Sequence, residues 1–268
     1  MGKKLLLVVV SASVALSGCV TTRESRIGTN DGSDACYQYR VALDSTGDFY
    51  QEDMLAGAMA GAVVGAATGL MVRGTPQAAL IGAVSGAALG AAGGYWYSKM
   101  QQGRDQAILS VMSDAQKERS NLNQTQVALD QLVNCRRAEI AKVKRDYKAK
   151  RTTKEVAEQR MALIRQQLDK DYEIANGISA NVVKRRDAFL EAAENITPGT
   201  RTQIQDGKFK QANGKKPNKK QKEPQPAVDD PAAQTIAYVT TAYQTSERVV
   251  QAPAQFQSAK LEASLETS

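Results

Sequence analysis

The chain has 268 residues, enough for one or two domains, yet aromatic residues make up 5% of it and histidine is absent. Such a composition, poor in bulky apolar residues and rich in Ala, Gln, Lys, Arg and Glu, favours an all-α protein of long helices over a compact α/β body. Without histidine the commonest general base and metal ligand are missing, so the expectation is no enzyme, no metal and no cofactor; the formal charge of +7 points to anionic neighbours.

Residues 1–18 read as a targeting segment. Lys3 and Lys4 make a basic start, Leu5 to Leu16 an apolar run, and small residues follow. The run ends in Leu16-Ser17-Gly18-Cys19, which resembles a bacterial lipobox. That resemblance implies a lipoprotein signal peptide over residues 1–18 and lipidation at Cys19, with diacylglycerol on the thiol and a palmitate-like acyl chain on the new amine. Several acyl chains anchor stably where one binds only marginally. Asp directly after the Cys favours inner-membrane retention in that pattern; here Val20 stands there, which implies an outer-membrane, lipid-anchored protein facing the periplasm. An ordinary signal peptide with an incidental Cys is the alternative. Cleavage removes Lys3 and Lys4 and lowers the formal charge from +7 to +5. Anionic headgroups, lipopolysaccharide phosphates or cell-wall polymers are then the expected neighbours, and nucleic acid is excluded by compartment.

Residues 19–52 are rich in Thr, Ser, Gly and Asp, with one apolar patch from Tyr37 to Leu43, and read as an irregular lead. With Cys19 acylated, Cys36 and Cys135 remain in an oxidising compartment and are expected to form a disulfide. A closed loop of about 100 residues contributes roughly 4 to 5 kcal/mol in the chain-entropy account. If the chain from Ser98 were one straight helix, Cys135 would stand about 55 Å along it, barely within reach of Cys36. A bend near Gly103 or around Asn121 and Asn123 relieves that strain. Two free thiols or an intermolecular bridge are the alternatives.

In residues 53–97 glycine recurs every fourth position in two blocks: Gly57, Gly61, Gly65 and Gly69, then Gly82, Gly86, Gly90 and Gly94. On a helix this spacing lays the glycines along one face, where missing Cβ atoms let another helix pack closely. Each block is uncharged and about 20 residues long, the length of a bilayer crossing, and Arg73-Gly74-Thr75-Pro76 reads as the turn between them. The expectation is a glycine-zipper transmembrane hairpin. Its apolar residues are mainly Ala, so partition into lipid is weak for its length. Tyr95-Trp96-Tyr97 and Lys99 read as an interfacial aromatic girdle. Two crossings leave the anchor and the C-terminal part on one side. A small-residue helix pair packed against soluble protein is the alternative.

Met1 to Cys19 and Met54 to Tyr97 together resemble the glycine-zipper lipoproteins of Gram-negative envelopes, which share a two-helix Gly/Ala-rich segment behind a lipoprotein signal. Everything downstream is read from its own residues.

Residues 98–195 lack proline and carry a coiled-coil seam: Ile108, Val111, Ala115, Leu122, Leu129, Leu132, Ile140, Val143 and Tyr147. It restarts with Val156, Leu163, Ile164, Leu168, Ile174, Ile178, Val182 and Phe189. Between them Thr152 and Glu155 form a capping box, so a long antiparallel helical hairpin should turn near Lys150 to Thr153. Glu118 and Arg136 on the seam read as tolerated interruptions, with a specific register or partner as the alternative. Arg137 with Asp146, and Glu139 with Lys142, read as a solvated face.

Residues 196–230 hold four prolines and a cluster of lysines between Lys208 and Lys222, and read as a disordered linker, either a spacer or a contact with anionic lipid or wall. Residues 231–268 read as a short C-terminal helix and tail, capped by Asp230-Pro231 and ended by Pro253. Ile236, Val239, Tyr243 and Val250 make its apolar stripe. No phosphate-binding loop or triad is present, and a catalytic Ser/Lys pair has nothing pointing to it. The expected function is a structural or assembly element of the envelope, partnered by its own copies or another envelope protein; an oligomeric pore or secretion-channel component is the alternative.

Overall fold

A computed structural model describes residues 23–50, 93–209 and 230–265. Among them every regular element is helical, as the composition requires: α1 Arg23–Ile27, α2 over residues 37–50, α3 Gly93–Met100, α4 Arg104–Lys148, α5 Lys154–Ile196, α6 Thr200–Gln205 and α7 Pro231–Glu262. None of these helices is long and apolar enough to cross a membrane. The expected transmembrane zipper, from Gly57 to Gly90, lies outside the described residues, as do Cys19 and the signal segment; Gly94 falls in α3.

The long hairpin forms near the expected place. Lys150 adopts φ 56°, a left-handed C-terminal turn in which Arg151 N–H donates to the Asp146 carbonyl at 2.9 Å. The cap of α5 is Thr153, one residue beyond the expected Thr152, its hydroxyl accepting from Val156 N–H at 3.4 Å.

Two helices do not complete the core. α4 and α5 run antiparallel but touch each other less than each touches α7, which lies along both. They occupy opposite corners of a four-helix bundle, with α7 at the third corner and α2 and α3 sharing the fourth. The C-terminal helix is therefore not short. It spans 32 residues and passes through Pro253. An interior proline costs about 3 kcal/mol, and burial of Phe256, Ala259 and Ala263 beyond it offsets that. Ser179 of α5 donates to the Val250 carbonyl at 3.2 Å, in the turn that the proline weakens.

Two more expectations need correction. The lead is not irregular throughout: α2 buries Cys36, Leu43 and Tyr50 in the central core with Leu129, Leu168 and Phe256. The linker starts later than residue 196, since α6 folds back and buries Ile204 against Trp96 and Ile196; residues 210–229 lie outside the description.

α2 and α3 line the same side of α4. Cys36, just ahead of α2, is bonded to Cys135, and α2 descends α4 as far as Tyr50, whose hydroxyl meets Thr125 Oγ1 at 3.1 Å. α3 resumes lower, with the Tyr95 hydroxyl donating to Asp114 at 3.0 Å, and ends where Gly103, at φ 89°, turns the chain into α4. This is the bend foreseen at Gly103.

Candidate functional site

Tyr50 and Tyr95 seat the described residues on either side of the glycine-rich residues 51–92. Thr125 and Asp114, which meet these two hydroxyls, are eleven residues apart on α4, or about 16 Å. Between them, Glu118 of α4 pairs with Arg185 of α5 at 2.7 Å, both nearly excluded from water. The same guanidinium lies over the Phe49 ring, 4.7 Å from its centroid, and 6.0 Å from that of Tyr50. A buried cation against two rings strengthens the grip on the departing chain. On the returning side Tyr95 packs edge-on against Phe189 at 5.4 Å, and Lys99 pairs with Asp114 at 2.8 Å. Burial raises the Tyr50 phenol, and burial with the Asp114 carboxylate raises that of Tyr95. Both therefore stay neutral and keep their hydrogen bonds.

The expected aromatic girdle is thus divided. Tyr95 and Trp96 belong to the protein core, while Tyr97 faces outward, 63% exposed. Trp96 packs with Ile108, Val111 and Phe189, apolar partners that the hairpin seam supplies.

Near the start of α2, at Arg40, a second cluster locks it to α4 and α5. Arg136, read as a tolerated interruption, is fully buried and binds Asp34 through two nitrogens at 2.7 and 2.9 Å, Asp171 at 2.7 Å and Glu139 at 2.9 Å. Arg40 of α2 closes the ring on Asp171 at 2.6 Å and Asp34 at 2.8 Å. Burial alone raises the Asp34 carboxyl; the hydrogen bonds and charge of Arg136, with the charge of Arg40, reverse this and hold it below the usual carboxylate range. Burial opposes the Arg136 charge, and its bonds to Asp34 and Asp171 more than restore it. Glu139 therefore pairs with Arg136 rather than Lys142, and Arg137 pairs with Glu262 rather than Asp146.

The expected pair, Cys36 and Cys135, is bonded within the chain at an S–S distance of 2.03 Å. Asp34, Glu139 and Cys36 bring ligand-type atoms within 4.8 Å of one another. They do not fit a metal: the sulfur is spent in the disulfide, and the Arg136 guanidinium already sits between the carboxylates.

Residues 8–109 are similar to a family of unknown function, DUF8767. No curated protein and no solved structure matches the chain. The similar span runs through α1, α2, the glycine-rich segment and α3 into the second turn of α4, and leaves out α5 and α7. It thus covers Tyr50 and Tyr95 but neither member of the ion pair between them, since Glu118 and Arg185 both lie beyond residue 109.

Sequence patterning missed both ion clusters. Their members sit at apolar positions of the seam, and the only available signal is charge sign: Arg136 and Arg185 are matched by Asp171 and Glu118 at comparable heights once the hairpin is folded at Lys150.

Proposed function

We propose that this chain is an outer-membrane lipoprotein that acts as a structural or assembly element of the bacterial envelope, with a glycine-zipper hairpin held in lipid by a rigid helical bundle. The observation that supports this most directly is the seating of both ends of residues 51–92 in one core, at Tyr50 and Tyr95. A segment whose ends are fixed so close together carries its two glycine faces as a unit, and such faces associate by close packing with another helix. The acylated Cys19 supplies the second attachment, and the bundle presents itself to partner proteins or wall polymer in the periplasm.

The test is alkaline extraction of membranes carrying the Cys19→Ala form. Retention in the membrane pellet is expected, with partial release when Gly61 and Gly86 are also changed to Leu. Complete release of Cys19→Ala as a soluble monomer refutes the reading. Photocrosslinking in intact cells from exposed positions on α4 and α5 then identifies the partner.

A further inference from the structure

We infer that the α1–α2–α3 face of the bundle is a membrane-docking face, so that the rod lies side-on against the phospholipid bilayer instead of standing out from it. This rests on the proposed function, in which Cys19 is acylated and the glycine-rich segment within residues 51–92 enters lipid.

The argument is one of reach. Thr125, which receives Tyr50, stands 21 residues along α4 from its start at Arg104 and 23 from its end at Lys148. At 1.5 Å per residue the departure point is about 32 Å from one end of the rod and about 35 Å from the other. Only four residue steps separate Tyr50 from Met54, an extended span of about 14 Å. On the return side the chain is in α3 from Gly93, with Tyr95 held at Asp114, ten residues or about 15 Å from the Arg104 end. An upright rod resting on either end therefore holds the zipper segment too far from lipid, whereas a rod lying on its α2–α3 corner holds it at the surface.

The anchor leads to the same corner. Cys19 is four steps from Arg23, again about 14 Å at most, and α1 lies against α2: Arg26 pairs with Asp44 at 3.1 Å, and Arg40 donates to the Ile27 carbonyl at 3.2 Å. α7 is at the opposite corner, and its backbone does not approach α3. The chemistry of the face suits headgroups. Its α2 surface presents Gln38, Ala42 and Ser45, with Asp48 as the exposed charge, because Arg40 and Asp44 turn inward to buried partners. Few ions need be stripped of water on contact, and the exposed Tyr97 ring is of the type enriched at the interface.

The experiment uses the full acylated chain in vesicles of phosphatidylethanolamine and phosphatidylglycerol, with nitroxides at Ser45→Cys and Gln251→Cys. Both residues are exposed, and they lie at one height on opposite corners, since Gly47 meets Ile178 and Val250 meets Ser179. With Cys19 acylated and Cys36 bonded to Cys135, the introduced thiol is the free one. Expected is loss of collisions with an aqueous nickel chelate at residue 45, gain of collisions with oxygen there, and neither at 251. Ala42→Cys and Arg248→Cys repeat the comparison should one label disturb the fold. Equal exposure of the two faces in protein that floats with the vesicles overturns the docking face alone. Shielding of residue 45 that persists in detergent without a bilayer means a second copy covers it, and also overturns it. Protein that fails to float overturns the membrane reading and this inference together.

Discussion

Replacing Arg136 by Met tests whether the buried ion cluster is integral to the bundle. Met keeps an unbranched apolar stem and removes the guanidinium, which is fully buried and serves Asp34, Asp171, Glu139 and Gln167 at 2.7 to 3.0 Å. Arg40 remains against Asp34 and Asp171, but one cation then faces three carboxylates, of which Asp171 is fully buried, Asp34 nearly so and Glu139 partly exposed. Breaking a buried pair by removing one partner costs about 3 to 5 kcal/mol. For an ordered body of this size each kcal/mol lowers the melting temperature by about 2 to 4 °C, so a fall of roughly 10 °C is expected at pH 7. The measurement is a thermal melt followed by far-ultraviolet circular dichroism, with parent and variant in the same detergent. The loss should shrink under acid, because carboxylates deprived of their cation take up protons and cease to repel. A variant that melts within about 2 °C of the parent at pH 7 would refute the argument that these charges depend on one another.

Three further outcomes follow from the same packing. Changing Cys36 and Cys135 together to Ala removes a link 99 residues apart and should cost about 2 to 5 kcal/mol, read from the urea midpoint, with α2 cleaved by protease before α4 or α5. Asp34 titrates below its unfolded value of about 3.9, so its contribution is complete above that pH and is lost as pH falls through the lowered folded value; Asp34→Asn should flatten the acid limb of a stability–pH curve. Phe256→Ala should cost about 3 to 5 kcal/mol, which tests whether α7 beyond Pro253 belongs to the core; a change under about 1 kcal/mol contradicts it.

The hairpin seam was open to reading because apolar side chains at helical spacing need no partner to be recognised. Ile108, Val111, Leu122, Leu129, Leu132, Ile140 and Val143 are all buried, as are Ile164, Leu168, Ile174, Ile178, Val182 and Phe189. Val156 and Leu163 are not, because a two-helix seam assigns them to a face that a four-helix bundle leaves outside. Periodicity says how a helix is striped, not how many neighbours cover the stripe. α2 escaped notice because two of its core-facing positions are Arg40 and Asp44, whose burial makes sense only with Asp171 and Arg26 in place. α7 was cut short by Pro253, where a local rule lost to the tertiary burial of Phe256. The Cys36–Cys135 bond was legible from cysteine count, the oxidising compartment that the lipobox resemblance implies, and the reach of the chain, and its position explains how α2 is brought to α4.

The seating of α2 and α3 by separate contacts divides the sequence into two kinds of constraint. Among the described residues, α2 is held through Cys36, Arg40 and Tyr50 and α3 through Tyr95, Trp96 and Lys99, so neither helix takes its register from the number of residues between Tyr50 and Gly93. On the proposed function, a chimaera joined at those two positions is the natural unit for exchanging the glycine-rich segment while the bundle keeps its shape.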